Sequence, residues 1–141
     1  MLEFNFAYGE IGYELCKDLR ESVLGKEAFD GKEGESYHFV GYDKTEQIAS
    51  ARLTKLNDMQ CEIKYVAVKK EYQRQLVGDL IMKALADKAE SLGAKETVVF
   101  SPLELKPFFE FEGYKSCDNF TDSLKMIKDL TIKNRCGGCK K

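Results

Sequence analysis

The chain has one histidine, two prolines and no apolar run longer than the four residues Tyr65 to Val68. A membrane-spanning helix needs roughly 18 or more apolar residues, so none is expected and no membrane partner is assigned. His38 is the sole histidine, which leaves a Ser-His-Asp hydrolase unsupported and a histidine-rich metal site impossible. No charge of one sign dominates either. With 22 basic and 24 acidic side chains the formal charge is -2, so there is no overall electrostatic footprint for a nucleic-acid backbone. The first residues, MLEFNFAYGE, lack a basic start and a long apolar stretch, so no secretory signal is expected and a cytoplasmic location follows. Five cysteines, an odd number, are then read as reduced thiols.

What is present fits one folded unit. A chain of 141 residues with 43% apolar and 33% charged side chains is sized and balanced for a single globular domain. Charge is uneven, however: residues 125–141 hold six basic groups and only Asp129 as an acid. We expect a domain over residues 1–130 and a basic, flexible tail over 131–141 that carries Cys136-Gly137-Gly138-Cys139. That C-x-x-C pair supplies two of the four ligands a closed zinc site wants, so no metal site is assigned. A zinc or dithiol interaction module remains the alternative for this tail.

Periodicity orders the elements. Phe4, Phe6 and Tyr8 alternate on a first strand, and Ile11, Leu15, Cys16, Leu19 and Val23 recur at helical spacing up to Gly25. Residues 26–36 form an acidic, glycine-punctuated loop or a short broken helix. Tyr37 to Tyr42, Gln47 to Leu56 and Cys61 to Val68 read as three strands joined by short polar turns. Val77, Ile81, Leu85, Ala89 and Leu92 mark a long amphipathic helix that Gly93 ends. Thr97 to Phe100 is a strand, Leu103 to Glu112 a short helix, and strands near Tyr114 to Phe120 and Leu124 to Lys128 close the domain. The expected class is α+β, a mixed and mostly antiparallel sheet flanked by helices.

The chemistry-bearing stretch is the strand Tyr65-Val66-Ala67-Val68 running through Lys69 to Leu76 into the long helix. A helix start presents unpaired N–H groups and the positive end of the helix dipole, and Lys69, Lys70 and Arg74 add positive charge against Glu71. Such a turn suits a phosphate group. Gln73, Arg74, Gln75, Leu76, Val77 and Gly78 stand where a Gln/Arg-x-x-Gly-x-Gly/Ala motif would sit, with leucine at its first glycine. Pro107-Phe108-Phe109-Glu110-Phe111-Glu112-Gly113-Tyr114 follows a Pro-Phe-Tyr-x-x-x-Gly-Phe pattern, with Phe109 in place of tyrosine. Together with the Tyr37 to Asp43 opening, these motifs make the segment from Tyr37 to Phe120 resemble the GCN5-related N-acetyltransferase (GNAT) superfamily, in particular its small bacterial members.

The resemblance implies acetyl-CoA as cosubstrate. Its pyrophosphate would lie over the amides from Gln73 to Asp79, and its pantetheine arm along the edge of the Cys61 to Val68 strand, at Val66 and Val68. Leu76 is expected to keep a negative φ and Asp79 to turn outward, while Phe109 lines the arm. N–H groups near Val66 would hold the thioester carbonyl. The acceptor is a small-molecule or peptide amine, and the assembly a monomer or homodimer. Glu62 matches the glutamate of a Glu-Ile-x-x-x-Ala-Val pattern that serves as general base in histone-type members; its bland reading is a surface glutamate. On an ideal strand Glu62, Lys64 and Val66 share one face, unless a bulge intervenes. Lys64 beside Glu62 would lower its basicity.

A donor for the leaving thiolate is the open question, because Phe109 lacks a hydroxyl. Tyr114, Tyr72 and Ser101 carry the candidate hydroxyls. His38 is structural or borders the acceptor. Glu27, Asp30, Glu33 and Glu35 form either a solvated loop or an acidic rim suited to a cationic amine. The activity implied is direct acetyl transfer to a primary amine in a ternary complex; the alternative is a non-catalytic acyl-CoA-binding or regulatory domain.

Overall fold

The computed structural model describes residues 2–73, 76–119 and 124–131, so the tail with Cys136 and Cys139, and also Phe120, lie outside the described residues. Seven strands form one sheet: β1 (Leu2–Tyr8), β2 (Ser36–Asp43), β3 (Glu46–Lys55), β4 (Gln60–Val68), β5 (Glu96–Ser101), β6 (Lys115–Asn119) and β7 (Leu124–Asp129). Their spatial order is β1-β2-β3-β4-β5-β7-β6. Every neighbouring pair is antiparallel except β4 and β5, which the crossover helix α2 (Val77–Ser91) connects in parallel. The helix α1 (Gly9–Leu24) links β1 to β2, and α3 (Lys106–Phe111) follows β5. This is the α+β architecture expected from the periodicity.

The two long helices sit against opposite faces of the sheet. Val77, Ile81, Leu85 and Ala89 of α2 are buried on Phe39, Ala51, Leu53, Cys61 and Ile63, each fully buried leucine-sized side chain contributing about 1.5–3 kcal/mol. Gly93 takes φ 91° just beyond α2, and the following Ala94 N–H returns to the Ala89 carbonyl, closing the helix without a steric penalty. On the other face, α1 needs Gly12. A Cβ there would come within 2.3 Å of the Ala7 carbonyl oxygen and 2.8 Å of the His38 ring. That close approach lets α1 bury Cys16, Leu19 and Arg20 against β2 to β4.

The middle of β4 breaks the regular ladder. Ser50 pairs with Ala67 and Arg52 with Lys64, so one β3 residue, Ala51, opposes two on β4, Tyr65 and Val66. Tyr65 carries the irregularity with φ 57°. The bulge turns alternate side chains over: Val66 packs with Ile63 against the α2 core, whereas Tyr65 turns to the α1 face beside Lys64. The ideal-strand grouping of Glu62, Lys64 and Val66 therefore fails at Val66.

Candidate active site

β4 and β5 part company just where β4 bulges. Their parallel ladder runs from Gln60 to Glu62 and ends there, so β4 beyond Glu62 has no β5 partner. The split opens a cleft of about 440 Å³ whose walls include Glu62, Lys64, Tyr65 and Val66 from β4, Val99 and Phe100 from β5, and Phe109 from α3. Leu24, Glu27 and Ala28, from the end of α1 and the segment after it, line the remaining side. Val68 lies outside this lining, and its carbonyl accepts the Gln73 side-chain amide at 2.9 Å.

The start of α2 supplies the second feature. Leu80 N–H is the first to return within the helix, to the Leu76 carbonyl at 3.1 Å, and no side chain caps the preceding turn. The N–H groups of Val77, Gly78 and Asp79 are the donors that geometry leaves at a helix start. Leu76 holds φ 66°, contrary to the expected negative value: the chain reverses from the Lys70–Tyr72 turn into α2 through a left-handed residue, the conformation for which glycine is favoured. Its side chain is 75% exposed, so it points away from the core. Arg74 and Gln75 lie outside the described residues. Lys69 is engaged by Glu46 at 2.6 Å, which leaves less free positive charge at this turn than composition suggested.

α3 connects the two features. Phe109 is buried, lines the cleft and stacks edge-on against Phe108 and Tyr114, while a Cβ on Gly78 would stand 3.4 Å from the Phe108 ring. Asp79 turns to Lys83, 2.6 Å away, and its carboxyl interacts with that of Glu112. Burial and the neighbouring Asp79 charge push Glu112 up to about 7, whereas the Lys83 ammonium and Glu112 hold Asp79 below the usual carboxylate range.

Glu62 is mostly buried and stands at the cleft wall with Arg52 Nη2 3.8 Å away. Lys64 does not pair with it as expected; its Nζ binds Asp30 at 3.0 Å. Asp30 also takes both terminal nitrogens of Arg52, and this bidentate grip holds its carboxyl well below the ordinary range. Glu33 is fully buried, bridging Arg20 at 3.0 Å and Arg52 at 3.1 Å while accepting the Gly31 N–H. The loop acids Asp30 and Glu33 thus serve an internal ion network. They are not an open rim. Tyr65 lies over Arg20, Arg52 and Lys64, and no sequence signal short of the bulge itself singled it out.

The expected proton donors sit elsewhere. Tyr114 is buried in the core with its hydroxyl 2.7 Å from Thr97, and burial drives its phenol far up. Tyr72 donates to Asp43 at 2.7 Å, a bond that pushes its phenol up to about 12. Ser101 bonds the Pro102 carbonyl. None of the three lines the cleft; Tyr65 does. His38 is fully buried, its Nε2 3.0 Å from the Glu33 carbonyl, and burial lowers its pKa; it supports the loop. No group of three or more metal-ligating side chains occurs among the described residues. No helix among them is long and apolar enough to cross a membrane.

Beside this geometry, a cleft at a split parallel strand pair with an uncapped helix start and a mostly buried carboxylate, stand the following similarities. The family model described as an acetyltransferase (GNAT) domain matches residues 8–123. An uncharacterized N-acetyltransferase of Bacillus subtilis, YjcF, is 30% identical over 115 residues, which cover 77% of this chain and 81% of that protein. Among solved structures, an acyl-CoA N-acyltransferase from Pseudomonas aeruginosa superposes with TM-score 0.79 at 16% identity, covering 91% of this chain and 99% of the other. A GNAT family acetyltransferase from Elizabethkingia anophelis with acetyl-CoA bound gives 0.76 at 17% identity, covering 89% and 97%.

Proposed function

The chain belongs to the GNAT acetyltransferase family, and from that premise we propose that it moves an acetyl group from acetyl-CoA to a primary amine by direct transfer in a ternary complex. The observation that carries this reading is the end of the β4–β5 ladder at Glu62, which leaves the bulged β4 edge facing a cleft instead of a neighbouring strand. The residues present fit an acyl-CoA. The Val77, Gly78 and Asp79 N–H groups are the donors for its pyrophosphate, and Gln73, Arg74, Gln75 and Leu76 are assigned to the same cofactor group. Main-chain groups from Val66 to Val68 pair with the pantetheine arm, and Phe109 supplies apolar wall. The bound thioester supplies an activated acyl carbon and a thiolate leaving group.

Glu62 is the residue assigned to take the acceptor's proton. Deprotonating an alkylammonium at pH 7 costs about 4–5 kcal/mol, so a carboxylate or a water relay to one makes neutral nitrogen available at the cleft. The nitrogen then attacks the carbonyl carbon; the N–C bond forms, the C–S bond breaks to release CoA as its thiolate, and the surplus proton on the nitrogen passes to that sulfur or to water. The Val66 N–H is assigned to the carbonyl oxygen as it gains charge. Holding both reactants in one cleft replaces a bimolecular encounter with a local one. Asp30 keeps the Arg52 guanidinium in a bidentate pair, which leaves Glu62 with a contact longer than a hydrogen bond.

The test is free-thiol release from acetyl-CoA with a panel of primary amines, run beside binding. Acetyl-CoA binding with amine-dependent thiol release supports transfer. Binding without release for any amine leaves a non-catalytic acyl-CoA-binding domain.

A further inference from the structure

Four acids, Glu27, Asp30, Glu33 and Glu35, follow α1, and the fold uses them unequally. Asp30 is taken by Arg52 and Lys64, and Glu33 is buried between Arg20 and Arg52. Glu35 does not line the cleft. Glu27 does, and its carboxylate folds back over Gly25, where a Cβ would meet Oε1 at 2.4 Å. Among the described residues no cation pairs with it. Gly25, with φ 94° at the end of α1, makes room for that fold-back.

The rest of the cleft tells what kind of body lies between Glu27 and the reacting nitrogen. Leu24, Pro102, Leu105 and Phe100 present apolar wall, and Leu24, Leu105 and Phe100 are 39%, 46% and 50% exposed. Lys64 is the cationic side chain of the lining, and its charge is met by Asp30. Among the described residues Glu27 is therefore the charged residue of the lining with no ion-pair partner.

We infer that Glu27 determines acceptor specificity by binding a second cationic group, so that the acceptor is an alkyl diamine: one nitrogen reacts beside Glu62, the hydrocarbon chain lies on Leu24 and Leu105, and the far ammonium meets Glu27. This rests on the acetyl-transfer reading. An acceptor carrying a carboxylate at its far end is disfavoured by like charge, and a plain alkylamine lacks the distal partner.

The experiment compares hexylamine, 1,6-diaminohexane and 6-aminohexanoate by thiol release from acetyl-CoA, with the parent, Glu27→Gln and Glu27→Lys. Glu27 is exposed, so neither substitution disturbs the core. For the parent, kcat/KM per amino group is about five- to tenfold higher for the diamine than for hexylamine, and lowest for the amino acid. In Glu27→Gln the ratio of diamine to hexylamine collapses toward one, and in Glu27→Lys the amino acid overtakes the diamine. Equal use of diamine and hexylamine by the parent, or a ratio that Glu27→Gln leaves intact, overturns the specificity while acetyl transfer stands. Thiol release that none of the three amines raises above the amine-free rate overturns both.

Discussion

Arg20 from α1 lies with its guanidinium carbon 4.6 Å from the centre of the Tyr65 ring, the residue at which β4 bulges. The same arginine donates to Glu33 and to the Ala28 carbonyl. One buried cation thus ties together the helix, the acceptor-side loop and the irregularity that opens the cleft. The left-handed φ of Tyr65 is held by these contacts, because nothing in its side chain favours it.

This arrangement makes Glu33→Ala costly. Removing the carboxylate leaves Arg20, 1% exposed, without its anionic partner, and we expect a loss of about 3–5 kcal/mol in urea denaturation. The double variant Arg20→Met with Glu33→Leu, which removes both charges, recovers most of that loss. A Glu33→Ala cost below about 1 kcal/mol would mean the network is not structural.

Leu76→Gly should stabilise the protein by about 1 kcal/mol. A non-glycine residue at φ 66° carries a penalty of roughly 1–2 kcal/mol, partly offset by the added chain entropy of glycine in the unfolded state. The Leu76 side chain is 75% exposed and gives up little packing. Denaturant midpoints of parent and variant check this, and destabilisation by Leu76→Gly would contradict the left-handed turn.

Much of the fold was legible because its signals are local. Val77, Ile81, Leu85 and Ala89 repeat at helical spacing, and the polar turns after Tyr42 and Leu56 mark antiparallel hairpins. The bulge was not legible: it depends on how Ser50 and Arg52 register against Ala67 and Lys64, a pairing between strands that no single stretch encodes. Asp30 and Arg52 are 22 positions apart, so the capture of a loop acid by a buried arginine emerges only in three dimensions. Leu76 shows the same limit differently. The motif pointed to the turn, but the sign of φ there is set by the chain path between β4 and α2, and leucine gave no hint of it.

Glu112 makes stability fall with rising pH. Its pKa is raised to about 7 from an ordinary value near 4.5, so the fold favours the protonated carboxyl. That favourable contribution is complete below pH 4.5 and is lost as pH climbs through 7, a swing of about 3 kcal/mol. Glu112→Gln keeps a neutral hydrogen-bonding group and flattens the slope, so at pH 8 it should be more stable than the parent and at pH 5 nearly equal. Denaturation curves at both pH values decide; parallel slopes for parent and variant would contradict the raised pKa of Glu112.

Glu62→Gln should lower kcat by about 10²–10⁴ while leaving the Kd for acetyl-CoA within twofold. Steady-state thiol release and calorimetry on the same preparation separate the two effects. Unchanged kcat would remove Glu62 from proton transfer without touching the fold.

The most direct measurement is calorimetric titration of the parent and of Gly78→Glu with acetyl-CoA and with desulfo-CoA. A glutamate at 78 sets bulk against Phe108 and negative charge beside the amides at the start of α2. The parent is expected to bind both ligands saturably, and a Gly78→Glu protein that keeps its folded circular-dichroism spectrum to lose at least tenfold in affinity. Equal affinity in the two proteins, or no binding by the parent, would contradict that expectation.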